Sequence, residues 1–223
     1  MKKIICIISL LILLGCTGTT AKYSNMEIKN GLFYVKDQFE PYTGKAIKNY
    51  SETDQVQIEG VFIDGKPKGI FKSYYENGQV EVEGTYVDGN LEGPYKIYYE
   101  SAQLKEEGTF KDDAFVGVWK EYYENGQEKV EEPYIDGKLE GTYKIYYESG
   151  KVKKEGTFKE NNQVGVWKEY YMNGQIALIE NFLENKLNGD RTLYYKNGQL
   201  KEYTIYENGE IKTRTRYTPD FYN

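Results

Sequence analysis

The sequence contains no histidine, and its two cysteines, Cys6 and Cys16, both stand in the first sixteen residues. Without His there is no Ser-His-Asp triad. With no thiol beyond Cys16, the body of the chain has no Cys nucleophile, no disulfide and no His/Cys metal site. Proline is scarce, five in 223 residues, and no long apolar run follows Leu14. Basic residues are outnumbered, Lys+Arg 29 against Asp+Glu 35, giving a formal charge of −6. Nucleic acid and anionic lipid both call for Lys/Arg stripes, so this balance argues against either as a partner. Neither G-x-S-x-G nor a phosphate-binding loop occurs. Paired carboxylates are plentiful, as at Glu106-Glu107 and Glu131-Glu132. Glycoside hydrolysis needs two carboxylates facing each other across a cleft, which a flat sheet does not offer. The expectation is a non-enzymatic chain with no metal and no cofactor.

What is abundant is tyrosine, 24 residues, and glycine, 23. Their arrangement is periodic. GVWKEYYENGQ at 117–127 returns as GVWKEYYMNGQ at 165–175, and related copies start at Gly69, Gly93, Gly141 and Gly189. Six copies therefore recur every 24 residues, the mark of a repeat array. Numbering each copy from its Gly, position 3 is Phe71, Tyr95, Trp119, Tyr143, Trp167 and then Arg191, and positions 6 and 7 are Tyr-Tyr throughout. Position 18 is aromatic in every copy, from Tyr86 to Tyr206.

Asn-Gly follows the tyrosines at Asn77, Asn125, Asn173 and Asn197, and Asp-Gly recurs at Asp64, Asp88 and Asp136. Asn-Gly between alternating runs is a hairpin signal, and a two-residue turn would place both residues at positive φ. Side chains alternate along a strand, so positions 3, 5 and 7 are expected to share a buried aromatic face, and positions 2, 4 and 6 a wet one. The prediction is an all-β, elongated antiparallel β-hairpin repeat array of about 14–16 strands, each repeat adding roughly 9–10 Å.

The N-terminus carries an address. Lys2 and Lys3 precede the apolar run 4–14, too short to span a bilayer, so residues 1–15 read as a secretory signal. Leu13-Leu14-Gly15-Cys16 resembles the lipobox of bacterial lipoproteins, which implies cleavage before Cys16 and lipid on its sulfur. Residues 16–27 then read as a lipidated flexible tether, 28–68 as degenerate capping repeats, 69–212 as the six repeats and 213–223 as a C-terminal cap or tail. Within 28–68, Asn30-Gly31 suggests a strand pair. The implied location is the bacterial cell envelope, lipid-anchored. Thr17 and Gly18 supply no aspartate-type retention signal, so in a Gram-negative cell the outer membrane or surface is favoured.

The pattern G-x-W-x-x-Y-Y-x-N-G, then an aromatic, then D/N-G, resembles the MORN repeat variant found in tandem in bacterial proteins, over residues 29–212. The resemblance implies stacked β-hairpins and a role in scaffolding, protein binding or membrane-lipid association. Many members carry an antitoxin label, which makes an antitoxin-type component of a toxin–antitoxin system one alternative. The acidic balance argues against phosphoinositides, and an exported chain against neutralising a cytosolic toxin. W-x-x-Y-Y-x-N-G is also similar, more distantly, to choline- or glucan-binding repeats.

Two further functions follow. The first is a membrane-anchored scaffold for a protein partner or for adhesion. The second is glycan or cell-wall binding by the position-6 tyrosines, Tyr74, Tyr98, Tyr122, Tyr146, Tyr170 and Tyr194, whose spacing is close to that of a disaccharide unit.

Overall fold

A computed structural model describes residues 20–51 and 53–219. The leader and Cys16 lie outside the described residues. The chain divides after Asn90 into two compact units. The repeat chemistry is the same in both, and each is built from antiparallel β-hairpins.

The first unit contains β1 (Thr20–Lys22), a single 3-10 turn (Tyr23–Asn25), β2 (Met26–Lys29), β3 (Leu32–Val35), β4 (Gly44–Asn49), β5 (Val56–Ile63), β6 (Lys66–Tyr74) and β7 (Val80–Val87). β4 to β7 pair in order, each antiparallel to the next. β1 lies parallel to β4, with Ala21 opposite Ala46. Residues 20–27, expected to form part of a flexible tether, instead supply β1, the turn and the start of β2. The Tyr42 hydroxyl fixes them, accepting from the Ala21 N–H at 3.1 Å and donating to the Lys45 carbonyl at 2.7 Å.

β2 and β3 form the hairpin expected around Asn30-Gly31, both at positive φ. Tyr42, Ala46 and Phe62 make the buried core, ringed by Tyr23, Phe33 and Phe71 among others. Phe62 is 1% exposed, and burying such a side chain stabilises by about 1.5–3 kcal/mol. Four aromatic neighbours, Tyr23, Tyr42, Phe71 and Phe33 with ring centroids 4.7 Å away, account for that burial.

The second unit runs β8 (Asn90–Tyr98), β9 (Leu104–Lys111), β10 (Ala114–Tyr122), β11 (Glu128–Ile135), β12 (Lys138–Leu139), β13 (Gly141–Tyr146), β14 (Val152–Lys159), β15 (Asn162–Tyr170), β16 (Ile176–Leu183), β17 (Lys186–Tyr194), β18 (Leu200–Glu207) and β19 (Glu210–Arg216). Residues 213–216, within the segment expected as a C-terminal cap or tail, are strand. The nineteen strands among the described residues exceed the expected number, because the N-terminal segment adds three and one long strand is split. That split, between β12 and β13, has a local cause. Pro133 stands on β11 where the other repeats carry Thr, Asn or Ile, and it has no N–H to give Glu140, although its carbonyl still accepts from the Glu140 N–H at 2.9 Å.

Every repeat keeps one register. Position 1 faces position 18 and position 3 faces position 16, as in Gly165↔Phe182 and Trp167↔Glu180. The register then slips by one residue between positions 5 and 6. This bulge goes with the Asn-Gly turn and corrects the expected turn geometry. Gly78, Gly126, Gly174 and Gly198 have positive φ, but their preceding asparagines do not. The turn instead closes through Gly126 N–H to the Tyr123 carbonyl and Tyr123 N–H to the Gln127 carbonyl. The Asn125 Oδ1 accepts from the Gln127 N–H at 2.9 Å, so Asn is chosen for its side-chain acceptor.

The two-residue turns with both φ positive are the others, Asp64-Gly65, Asp88-Gly89, Asp136-Gly137 and Asn208-Gly209. Asp112-Asp113, Glu160-Asn161 and Glu184-Asn185 adopt that shape without glycine. Their side chains compensate by docking on the preceding repeat. Asp113, Asn161 and Asn185 Oδ1 accept from the backbone N–H groups of Leu91, Leu139 and Gln163 at 2.7–2.8 Å.

Candidate binding face

The position-3 aromatics fill one face, as expected. Trp119 packs against Tyr95, Phe110 and Phe115, and Trp167 against Tyr143, Phe158 and Phe182. What admits them is position 16 of the preceding repeat. It is Gly60 under Phe71, Gly108 under Trp119 and Gly156 under Trp167, and an added Cβ at any of the three would fall within the ring above it. Where position 16 is Glu180, position 3 is Arg191 and the two form an ion pair at 2.9 Å. Where it is Glu132, position 3 is Tyr143. Burial holds the Glu132 carboxyl above its ordinary value, against the opposing pull of the Tyr134 hydroxyl bonded to it.

The position-7 tyrosines, expected beside position 3, work between repeats instead. Their hydroxyls donate to the backbone carbonyl of the next repeat's position 6: Tyr99 to Tyr122, Tyr123 to Tyr146, Tyr147 to Tyr170 and Tyr171 to Tyr194, at 2.6–2.7 Å. In the first unit Tyr50 donates likewise to Tyr74. Tyr147→Phe should therefore cost about 0.5–1.5 kcal/mol in chemical unfolding, with a loss under a few tenths showing that the bond is idle.

The opposite face is polar and regular. Position 4 is lysine in five copies and position 15 of the neighbouring strands is largely glutamate. They alternate across the sheet, with Lys72 opposite both Glu59 and Glu83, and Lys144 opposite both Glu131 and Glu155. Lys72 reaches Glu83 at 3.3 Å, and Lys120 and Lys144 share Glu131 at 3.6 and 3.8 Å. Hydrogen bonding to Glu128 raises the Lys120 ammonium above its ordinary value. Beside these rows, position 2 and position 17 expose Val118, Thr142, Thr157 and Val166.

The six tyrosines singled out from the sequence lie on this face of their own units, Tyr74 in the first and the other five in the second, and their rings are half-buried. Four of the hydroxyls bond glutamates. Tyr122 donates to Glu107, Tyr146 to Glu131 and Tyr170 to Glu155 at 2.6–3.0 Å, and in the first unit Tyr74 donates to Glu59. Tyr194 has Ile179 at the corresponding position. The acceptors were overlooked in the sequence, although a Glu recurs fifteen residues before each of the first five tyrosines.

Burial first, and the carboxylate second, push Tyr74 and Tyr170 up to about 12 and raise Tyr122 and Tyr146 in the same direction. The sign follows. The fold prefers the neutral phenol, so the contribution is complete below the ordinary tyrosine value near ~10 and is lost as pH rises towards the folded value. Tyrosinate absorbance followed with circular dichroism should show these residues ionising only as the sheet melts. Full ionisation near pH ~10 with the sheet intact would contradict this.

Among the described residues no group of three or more His, Cys, Asp or Glu is placed to hold a metal. No helix among them is long and apolar enough to cross a membrane. A hollow of 580 Å³ opens in the first unit between Lys22–Ser24 and the strand end at Ile47–Tyr50. It holds none of the six tyrosines.

A family model described as the MORN repeat variant matches residues 67–88, 91–112, 115–136, 139–160, 163–184 and 187–208, together more than half of the chain. No curated protein matches. One solved structure, described as the crystal structure of a GtfA/B complex bound to UDP and GlcNAc, aligns with 74% of this chain and 24% of its own length. The identity is 11% and the TM-score 0.15, too low to bear on fold or function.

Proposed function

Because the chain belongs to the MORN repeat variant family, we propose that its array is a non-enzymatic scaffold that holds a protein partner or mediates adhesion, anchored to a bacterial membrane through lipid on Cys16. The observation that carries this reading is the division of labour between the faces. Aromatic rings consume one face in packing. The other presents rows of Lys, Glu and Tyr beside exposed Val and Thr, repeated at constant intervals. A surface that repeats the same groups suits an extended partner that can meet several copies at once.

The test is affinity capture with the chain after removal of residues 1–19, which leaves β1 intact, against cell lysate and peptidoglycan in parallel. Enrichment of one defined protein, lost when Lys120 and Lys144 are both replaced by Glu, is the expected result. Capture indifferent to that replacement sinks the reading.

Glycan binding is the second reading, favoured by the half-buried position-6 rings in one row. Four of the hydroxyls, those of Tyr74, Tyr122, Tyr146 and Tyr170, already serve glutamates, so a sugar contact there would fall to ring faces. Tyr122→Ala with Tyr146→Ala should abolish retention on glycan if this reading holds, and unchanged retention removes it. An antitoxin role stays a third proposal, carried by family labels alone.

A further inference from the structure

The strand β19 is the first half of a seventh repeat. Its register sets Thr204 opposite Arg214 and Glu202 opposite Arg216, the pairing that elsewhere joins position 16 to position 3 and position 14 to position 5. Tyr217 then falls at position 6, and its carbonyl accepts from the Tyr195 hydroxyl at 3.1 Å as the other position-6 carbonyls do. The second strand of this repeat is absent among the described residues. β19 pairs only with β18 there, and all seven of its residues are exposed. The first unit treats its outermost repeat strand differently, since β1 lies along β4 and the β2–β3 hairpin packs on Phe62.

Charge says what the open edge wants. Towards β19 the aromatic row gives way to a ladder of alternating sign. Arg191 lies between two acids on flanking strands, Glu180 at 2.9 Å and Glu202 at 3.4 Å. Glu202 in turn lies between Arg191 and the pair Arg214 and Arg216, at 3.8 and 2.9 Å. The two arginines hold Glu202 below its ordinary value, the Arg216 hydrogen bond foremost. On its far side this arginine pair faces the open edge, so the ladder ends on cations where the pattern calls for an acid.

We propose that β19 receives an extended strand of another protein that carries acidic residues at alternate positions and so completes the seventh repeat. The proposal rests on the scaffold reading above and names the docking place. Backbone hydrogen bonds to the free edge supply affinity, and carboxylates opposite Arg214 and Arg216 supply selection. A second copy pairing edge to edge would bring Lys212, Arg214 and Arg216 of both strands together with only Glu210 of each to offset them, so charge argues against it. Basic residues on an edge also deter aggregation, but that role alone predicts no preference for an acidic strand.

The test uses the full chain and three labelled synthetic peptides, read by fluorescence anisotropy. One alternates Glu with Thr and Val, the second replaces Glu by Lys, and the third places Pro at every other position of the first. The acidic peptide is expected to bind. It should weaken at least about tenfold with Arg214→Glu plus Arg216→Glu, and with raised salt. The Lys peptide should show the reverse preference, the Pro peptide should not bind, and amide exchange in β19 should slow on binding. Arg214→Gln with Arg216→Gln, checked by circular dichroism, guards against a folding defect and should fall between.

No binding of the acidic peptide at millimolar concentration overturns the proposal. So does equal binding by the charge-reversed chain, or equal binding of the Pro peptide. Peptide binding without capture of any protein from lysate would retain the edge and sink the scaffold reading. Capture that ignores the arginines would do the opposite.

Discussion

Gly156→Val should destabilise the second unit by about 3–5 kcal/mol, comparable to deleting a buried aromatic. An added Cβ at Gly156 falls within the Trp167 ring. A ring held between Tyr143, Phe158 and Phe182 cannot step aside as a flexible chain end could. Trp167, 2% exposed, must leave its site. The chain contains its own control. Where position 16 is Glu180, position 3 is Arg191, and nothing aromatic needs the space. Gly156→Glu combined with Trp167→Arg should therefore lose less than the sum of the two single replacements, a coupling readable in a double-mutant cycle. A loss under about 1 kcal/mol for Gly156→Val would mean that the ring repacks freely and that the glycine is not selected for close approach.

Trp167→Ala should cost a similar amount, about 3–5 kcal/mol by denaturant titration. Trp167→Phe should cost much less, about 1–2 kcal/mol. The reason lies in the indole nitrogen. Nε1 is buried and has no hydrogen-bond partner, so removing it sacrifices volume but no bond and relieves an unsatisfied donor. Lys154, 5.5 Å from the ring centre, would keep an aromatic face beneath it in the Phe variant and lose it in the Ala variant. Only two tryptophans exist, so Trp119 fluorescence reports on the remainder of the second unit. A Trp119 transition that does not move when Trp167 is removed would show that repeats melt separately. A shared midpoint would show one cooperative body. Equal losses for the Phe and Ala variants would refute the account of Nε1.

The period, the strand pairs and the buried position-3 row were legible in the sequence, because side chains alternate along strands and glycine and asparagine mark turns. The bulge was not legible. It follows from how Asn125 closes its turn through a side-chain oxygen, and it frees the Tyr123 hydroxyl to reach a neighbouring carbonyl. Composition places an Asn-Gly in either turn class, and only backbone angles separate Asn125 from Asp136. The polar acceptors of the tyrosine row were hidden for another reason. Glu107 and Tyr122 meet across strands, whereas a reading of one repeat at a time treats its glutamates as solvated charge. Residues 20–27 misled because they follow a small, polar stretch, and their order comes from residues beyond the segment, from Tyr42 through its hydroxyl and from Phe62 against Tyr23.

The stitches between repeats have nearly constant reach along the chain. The Tyr147 hydroxyl meets a carbonyl 23 residues on, and the Leu139 amide meets a side chain 22 residues on. Such short reach lets folding spread by zippering, each hairpin templating the next without a long loop to close. It also has a hereditary consequence. Loss or duplication of one repeat-length stretch of coding sequence reconnects each stitch to an equivalent mate. Unequal recombination between copies can therefore lengthen or shorten the sheet in fixed steps while its register survives, and copy number becomes a quantity that selection can tune.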